Sequence, residues 1–315
     1  MEKTILNFKQ KQKKLLKSVK RDFVLNKWKY LMILPVIIFY IIFFYKPMYG
    51  AIIAFKDFSP GVGIAESPWV GFKHFKDFFT GMYFTRTLKN TLVISVASLV
   101  FGFPMPILLA LLINELRNKK YAKMVQTATY LPHFISLVVI CSMVKEFTAS
   151  TGLINDVVAI FGGERTNMLN NPNMFVPIYV ISTIWQQIGW NSIVFLAAIT
   201  GIDQGLYEAA MIDGAGRLRQ TISITIPSIL PTIITMFILR IGSLLNVGFE
   251  RIILLYNPAT YETADVISSF VYRKGLQEFN WSFSTAVGLF NSVVNFTLLI
   301  VANRISKKTT DTYLW

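Results

Sequence analysis

Between Thr183 and Asn191 the chain reads TIWQQIGWN. Thr183, Gln186, Gln187 and Trp190 fall at i, i+3, i+4 and i+7, which places them on one face of a helix. Asn191 and Trp185 flank that face. An aromatic platform beside amides suits a sugar, whose C–H faces are apolar and whose hydroxyls donate and accept. Amides inside an apolar run are costly unless they meet a partner or water. The same residues could therefore hydrogen-bond a neighbouring helix, and the sequence leaves both readings open. Arg240 interrupts a second apolar run, with Ser243 at i+3 and Asn246 at i+6. A charge there faces a cavity or a partner rather than lipid. One candidate partner is a substrate carboxylate, gripped fork to fork by the guanidinium. The alternatives are an ion pair with a second protein, or a side chain that snorkels to an interface.

Other chemistries find little material. Cys141 is the only cysteine and lies in an apolar run, which leaves no disulfide framework or thiol metal site. His74 and His133 are far apart, and no His pair or carboxylate pair sits within an apolar run. The absence of any Gly-Lys dipeptide excludes a P-loop. An intramembrane enzyme is thus disfavoured. An ion-coupled secondary transporter of sugars is the alternative function, but no Asp or Glu accompanies Arg240 within a span and the two halves show no inverted repeat.

The elements that must position these residues are membrane helices. The 315 residues are 53% hydrophobic and 15% charged, with a mean hydropathy of +0.50. A soluble domain carries about 25% charged residues. Five uncharged runs approach the roughly 20 residues that cross a bilayer: Asn90–Ile113, Met124–Val144, Phe175–Ile202, Gln220–Leu239 and Phe279–Asn303. Tyr30–Tyr45, prolonged by Tyr49–Phe55, makes a sixth. A cleavable signal peptide is the competing reading of that first run, but it lacks a small-residue cleavage site. The net charge of +14 does not indicate nucleic acid, because Lys and Arg follow the alternation of loops. The N-terminal segment, the alternate loops and the tail on its side hold 19, the opposite loops 10. This bias predicts both termini and the 201–221 loop in the cytoplasm. The basic arm also carries Leu15, Leu16, Val19 and Phe23 at helical spacing, which suits either anionic headgroups or a topology signal alone.

The loop at Tyr207 reads YEAAMIDGAGRLRQTISITIPSILPT. Asp203 is an N-cap for a short helix over Gln204–Asp213, with Tyr207, Ala210 and Met211 on one side. Gly214 suits a left-handed position just past its end. A second short helix over Arg217–Ser223 leads to Pro227 and Pro231, placed in the first turns of the next span. Small residues could serve helix packing in the membrane, but around Glu208 in a loop they favour a knob that another backbone can approach closely, with one charge for a basic partner.

At these residues the chain resembles the EAA-loop permease subunits of binding-protein-dependent ABC importers. The pattern of Glu-Ala-Ala, three residues, Gly, nine residues and Ile-x-Leu-Pro is matched by Glu208, Ala209 and Ala210, Gly214, and Ile224 to Pro227, with Ile226 in place of Leu. Leu218, Thr221 and Ile222 stand where sugar-importer relatives often have bulky aromatics. The segments Tyr49–Phe79 and Ile184–Asp203 and the terminal Tyr313-Leu314-Trp315 resemble a subgroup associated with complex, often acidic oligosaccharides. The resemblance implies an all-α integral membrane protein with the six transmembrane helices of the type I importer permease fold and both termini cytoplasmic. Residues 1–30 would be a cytoplasmic arm, 31–303 the permease domain and 304–315 a tail. Outer loops would span 46–87 and 247–283, and the coupling loop 201–227.

It further implies a non-enzymatic chain with no cofactor of its own, at the cell membrane. ATP and magnesium would be held by two copies of a partner ATPase. A second permease, an extracellular binding protein and an oligosaccharide, acidic by the subgroup resemblance, would complete the system, with no nucleic acid. Glu208, Ala209, Ala210, Asp213, Gly214, Ile224 and Pro227 would couple to the ATPase. Thr183, Gln186, Gln187, Trp190, Asn191, Arg240, Ser243 and Asn246 would line the path, since the span before the coupling loop lines the cavity in the maltose-importer relative. Trp281, Glu250, Glu262 and Asp265 would lie in the outer loop, either docking the binding protein or simply solvated.

The loop bias has a direct test. A cysteine placed at Ala215 in a Cys141→Ala background should react with a membrane-impermeant thiol reagent in inverted vesicles but not in intact cells. Labelling in intact cells would reverse the orientation.

Overall fold

Hydrocarbon offers no hydrogen-bonding partner to a backbone amide, so a spanning segment must satisfy its donors internally. A computed structural model of the chain describes residues 21–22 and 25–315, and these are almost wholly helical. The arm residues Leu15, Leu16, Val19 and Phe23 lie outside the described residues. Among the described residues no strand forms beyond one antiparallel bridge between Lys56 and Trp69.

The helices that matter below are α1 (Lys27–Phe55), α2 (Lys73–Thr80), α3 (Phe84–Asn114), α4 (Lys119–Tyr130) and α5 (Leu137–Thr148). They are followed by α6 (Pro172–Thr200), α7 (Gln204–Ile212), α8 (Arg217–Ile241), α9 (Phe249–Leu255), α10 (Ile267–Tyr272) and α11 (Trp281–Thr309). Among the described residues five helices are long and apolar enough to cross a membrane, and six if α6 and α7, bent by 68°, form one broken span. This is the all-helical, many-span class expected.

Two boundaries differ from the sequence reading. The run Met124–Val144 is not one helix. Pro132 lacks an amide hydrogen, so the helical bond that its position would make to the preceding turn is missing. The chain passes through a 3₁₀ turn at Leu131–Phe134, extends at Ser136 and restarts as α5. The candidate span is therefore Leu137–Ile160. Nor is there a separate short helix over Arg217–Ser223. That stretch opens α8 and continues through a π turn, Thr221–Thr225, into the apolar run. A regular α turn would press the Pro227 ring on the carbonyl four residues earlier, and the wider π turn gives it room.

Helix α6 organises the remainder. Asn171 caps it through a 3.0 Å bond from the Asn173 amide, with Pro172 at its first position. It packs against both halves of α3, against α4 and against α8. Phe175, Tyr179 and Val180 near its start enter one core with Ile94, Cys141 and Ile252. Phe195 and Ile199 near its end enter another with Ala110 and Ile229. Between the two cores Gly189 meets the backbone of α4, where a Cβ would stand 2.1 Å from the Thr129 carbonyl oxygen. By contrast, no residue of Lys27–Met48 is buried, and only Tyr49–Phe55 at the end of α1 rests on α11.

Gly189→Ala should force α4 and α6 apart, at a cost of about 1–3 kcal/mol. The expected readout is a lowered Tm and reduced membrane accumulation. Gly288→Ala, where a Cβ meets nothing within 4 Å, should leave both unchanged.

Candidate functional site

Two adjoining cavities open beside the middle of α6. The first, of about 420 Å³, is lined by Thr183, Gln187 and Asn191 from α6, Ser98 and Phe103 from α3, and Arg240 at the end of α8. Ser243 closes one side. Thr183, Gln187 and Asn191 are spaced at i, i+4 and i+8, so one stripe of the helix reaches the cavity along its length. The second cavity, of about 510 Å³, shares Ser98, Thr183, Gln187 and Arg240 and adds Ser95, Gln186, Asn246, Glu250 and Arg251.

The structure thus brings together seven of the eight polar residues singled out for a solute path. Trp190 lies apart from both walls. One face of its ring is covered by His133, parallel to within 3° at a centroid distance of 4.3 Å. His133 also donates from Nδ1 to Oε1 of Gln187 at 3.0 Å, so the amide of Gln187 is turned by a neighbour. Gln186 is buried, donating to the Ile135 carbonyl and accepting from Arg251. Asn246 accepts from Asn291 and Asn295, both at 3.0 Å. Arg240 forms no ion pair among the described residues, so its guanidinium remains available to the cavity.

Arg251 was not singled out from sequence. It is 5% exposed, and besides Gln186 it donates to Ser182 Oγ at 3.1 Å. The four aliphatic residues that follow it, Ile252 to Leu255, were the available signal that it does not sit in an open loop. Asp265 departs from the solvated reading more sharply. It is fully buried, accepting from Arg273 at 2.7 Å, Arg86 at 3.1 Å and Ser269 at 2.9 Å. Burial works against the charge on Arg273, but the bond to Asp265 raises its pKa above the ordinary guanidinium value. Glu250 and Glu262 are exposed as expected.

The loop knob forms largely as its spacing requires. Asp203 Oδ1 caps α7 by accepting from Gly205 N at 2.9 Å. Gly214 has φ of 75°, a left-handed conformation that costs a β-carbon residue strain. Ala215 N bonds Ala210 O at 2.8 Å and Gly214 N bonds Met211 O at 3.1 Å, the two bonds of a Schellman end. Tyr207 Oη pairs with Thr225 Oγ1 at 2.8 Å, and Ile224 and Tyr207 pack on the core beneath. Glu208, Ala209, Asp213 and Pro227 are exposed and Ala210 is half-buried. Of the three residues expected on one side of this helix, Tyr207 and Ala210 are half-buried and Met211 is not. It is exposed, as are Leu206, Ile212 (86%) and Leu218 (75%). The knob therefore presents large aliphatic side chains as well as small ones, around a carboxylate with no ion pair among the described residues.

Several apolar helices, a polar cavity beside the middle of one of them and an apolar knob on a loop together define a multi-pass membrane transport component. Residues 78–311 match the family described as the binding-protein-dependent transport system inner membrane component, and the chain belongs to that family. It is 46% identical to the polygalacturonan/rhamnogalacturonan transport system permease protein YteP of Bacillus subtilis, over 95% of this chain and 92% of the relative. It is also 46% identical to the protein LplB of the same organism, over 92% and 91%. A chain of a bacterial alginate ABC transporter, solved in complex with alginate pentasaccharide-bound periplasmic protein, superposes with a TM-score of 0.86 at 48% identity. The match covers 95% of this chain and 99% of that one.

The Asp265 cluster yields a stability prediction. Asp265→Asn leaves two guanidinium groups without a counter-charge, which should cost about 3–5 kcal/mol. Tm of the purified chain is the check, and a shift of under a degree or two would show that water solvates the pair.

Proposed function

We propose that this chain is one of two permease subunits of an ATP-driven importer, forming half of the path for an acidic oligosaccharide handed over by an extracellular binding protein. The observation that carries this is the near full-length likeness, in sequence and shape, to a chain of the alginate ABC transporter. The likeness to a polygalacturonan/rhamnogalacturonan permease supports the same substrate class, since both names denote uronate-containing chains. The cavities support it physically: amides for hydroxyls at Gln187 and Asn191, and a cation at Arg240. Thr183, Ser243 and Asn246 extend this polar wall. Trp190 acts through its stack on His133 rather than as a platform inside the cavity.

Glu208, Ala209, Ala210, Asp213, Gly214, Ile224 and Pro227 form the coupling knob. Two copies of an ATPase subunit, which hold ATP and magnesium, receive this knob and its counterpart on the second permease. Exposed Leu206, Met211, Ile212 and Leu218 supply the apolar contact, and Glu208 offers a charge to a basic side chain. In this arrangement the termini and the 201–227 loop are cytoplasmic, and the 46–87 and 247–283 loops face the binding protein. The bend of 68° between α6 and α7 joins the cavity-lining helix directly to the knob.

Co-purification with candidate ATPase subunits is the test. The wild-type chain with its permease partner should retain an ATPase, and a Glu208→Lys, Gly214→Asp variant should lose it by about tenfold or more. Equal retention would place the coupling surface elsewhere.

A further inference from the structure

The fold pairs two of its half-buried guanidinium groups. Arg86 and Arg273 both meet Asp265. Arg251 is treated differently. It is 5% exposed, forms no ion pair among the described residues, and its bonds go to two neutral groups, Gln186 and Ser182. An arginine keeps its proton in any protein environment, so it cannot relieve burial by becoming neutral. A buried cation without an anion costs several kcal/mol. Arg240, in the wall of the same cavity, is also unpaired among the described residues. The one carboxylate in that wall, Glu250, lies beyond ion-pair distance of either. On α3, Ser95 lines the same cavity, and its Oγ is buried with no hydrogen-bond partner. A buried hydroxyl left unpaired implies a ligand or water that completes it.

We infer that Arg251, Arg240 and Ser95 form a carboxylate-binding subsite in the second cavity, one that takes a uronate residue of the transported oligosaccharide. This rests on the oligosaccharide reading above and deepens it, because it makes charge the property that the membrane path itself selects. A planar carboxylate takes the guanidinium hydrogens of Arg251 that the bonds to Ser182 and Gln186 leave over, and accepts the hydroxyl hydrogen of Ser95. Gln187 and Thr183, in the same wall, are left for ring hydroxyls. A volume of about 510 Å³ is within the range of small-molecule sites. Neutral sugars would leave both cations unpaired and are disfavoured for that reason.

The purified complex of this chain with its permease partner and ATPase provides the experiment. Binding of a fluorescent galacturonate pentamer is compared with binding of its methyl ester, which has the same length without the charge. The wild type should bind the acid at least tenfold more tightly than the ester. Arg251→Gln should lose about tenfold or more for the acid while the ester stays within twofold. Ser95→Ala should lose two- to fivefold, again for the acid alone. If Arg251→Gln weakens acid and ester equally, or keeps the full preference, the residue is structural and the subsite is refuted. Should that variant fail to assemble, Arg251→Lys, which retains charge but not the fork, decides with Ser95→Ala, and an unchanged preference in both refutes the subsite. A wild-type complex that binds neither probe overturns the oligosaccharide reading itself, whereas acid preference surviving every variant overturns only the subsite.

Discussion

The contact of Gly189 with the carbonyl of Thr129 is the constraint on which the remainder depends. It brings two backbones together without an intervening side chain and so fixes the rotation of α6 about its axis. With that rotation set, Phe175 to Val180 enter one apolar core and Phe195 with Ile199 enter another. The stretch between adds only Ile184 to the edge of the first. Thr183, Gln187 and Asn191 are there instead, and they face space rather than protein. The cavity is thus a consequence of how a 29-residue helix is anchored at both ends. The stack of His133 on Trp190 belongs to the same contact, since the α4 end that Gly189 admits leads directly into the Leu131–Phe134 turn.

Charge is distributed on two plans in the same fold. Where α3 meets the segment around α10, two guanidinium groups converge on Asp265, with Arg273 also lying 5.6 Å from the Tyr261 ring centroid and 5.7 Å from that of Phe270. This ties the segment around α10 to α3 and leaves Asp265 fully paired. Where α8 and α9 meet α6, Arg240 and Arg251 face a cavity with no such partner among the described residues. Pairing makes a structural joint, and its absence leaves a site that an incoming anion can complete.

The knob follows a third logic. Its backbone is finished by its own caps, at Asp203 and at Gly214, so nothing about its shape waits for a partner. Its side chains are unfinished, with Ile212 at the end of α7 and Leu218 at the start of α8 largely exposed. A rigid backbone carrying unspent apolar surface is suited to being pushed by another protein and to passing the displacement along α6.

Much of this was legible in the residues alone. Long uncharged runs gave the helical membrane class, because hydrocarbon permits few alternatives. Asp203 and Gly214 gave the two ends of the knob, because capping is a local interaction within a few residues. The spacing of Thr183, Gln186, Gln187 and Trp190 gave a shared face flanked by Asn191, because helical geometry is periodic. The sequence could not show that Trp190 is engaged by a histidine 57 positions earlier, that Met211 is exposed, or that Pro132 splits an uninterrupted apolar run. Nor could it distinguish Arg251 and Asp265 from solvated loop charges. Periodicity states which residues share a face but not what that face meets. What lies opposite a side chain, an apolar core, a carboxylate or an open cavity, is decided only when distant segments pack, and it is this that makes one arginine a joint and another a site.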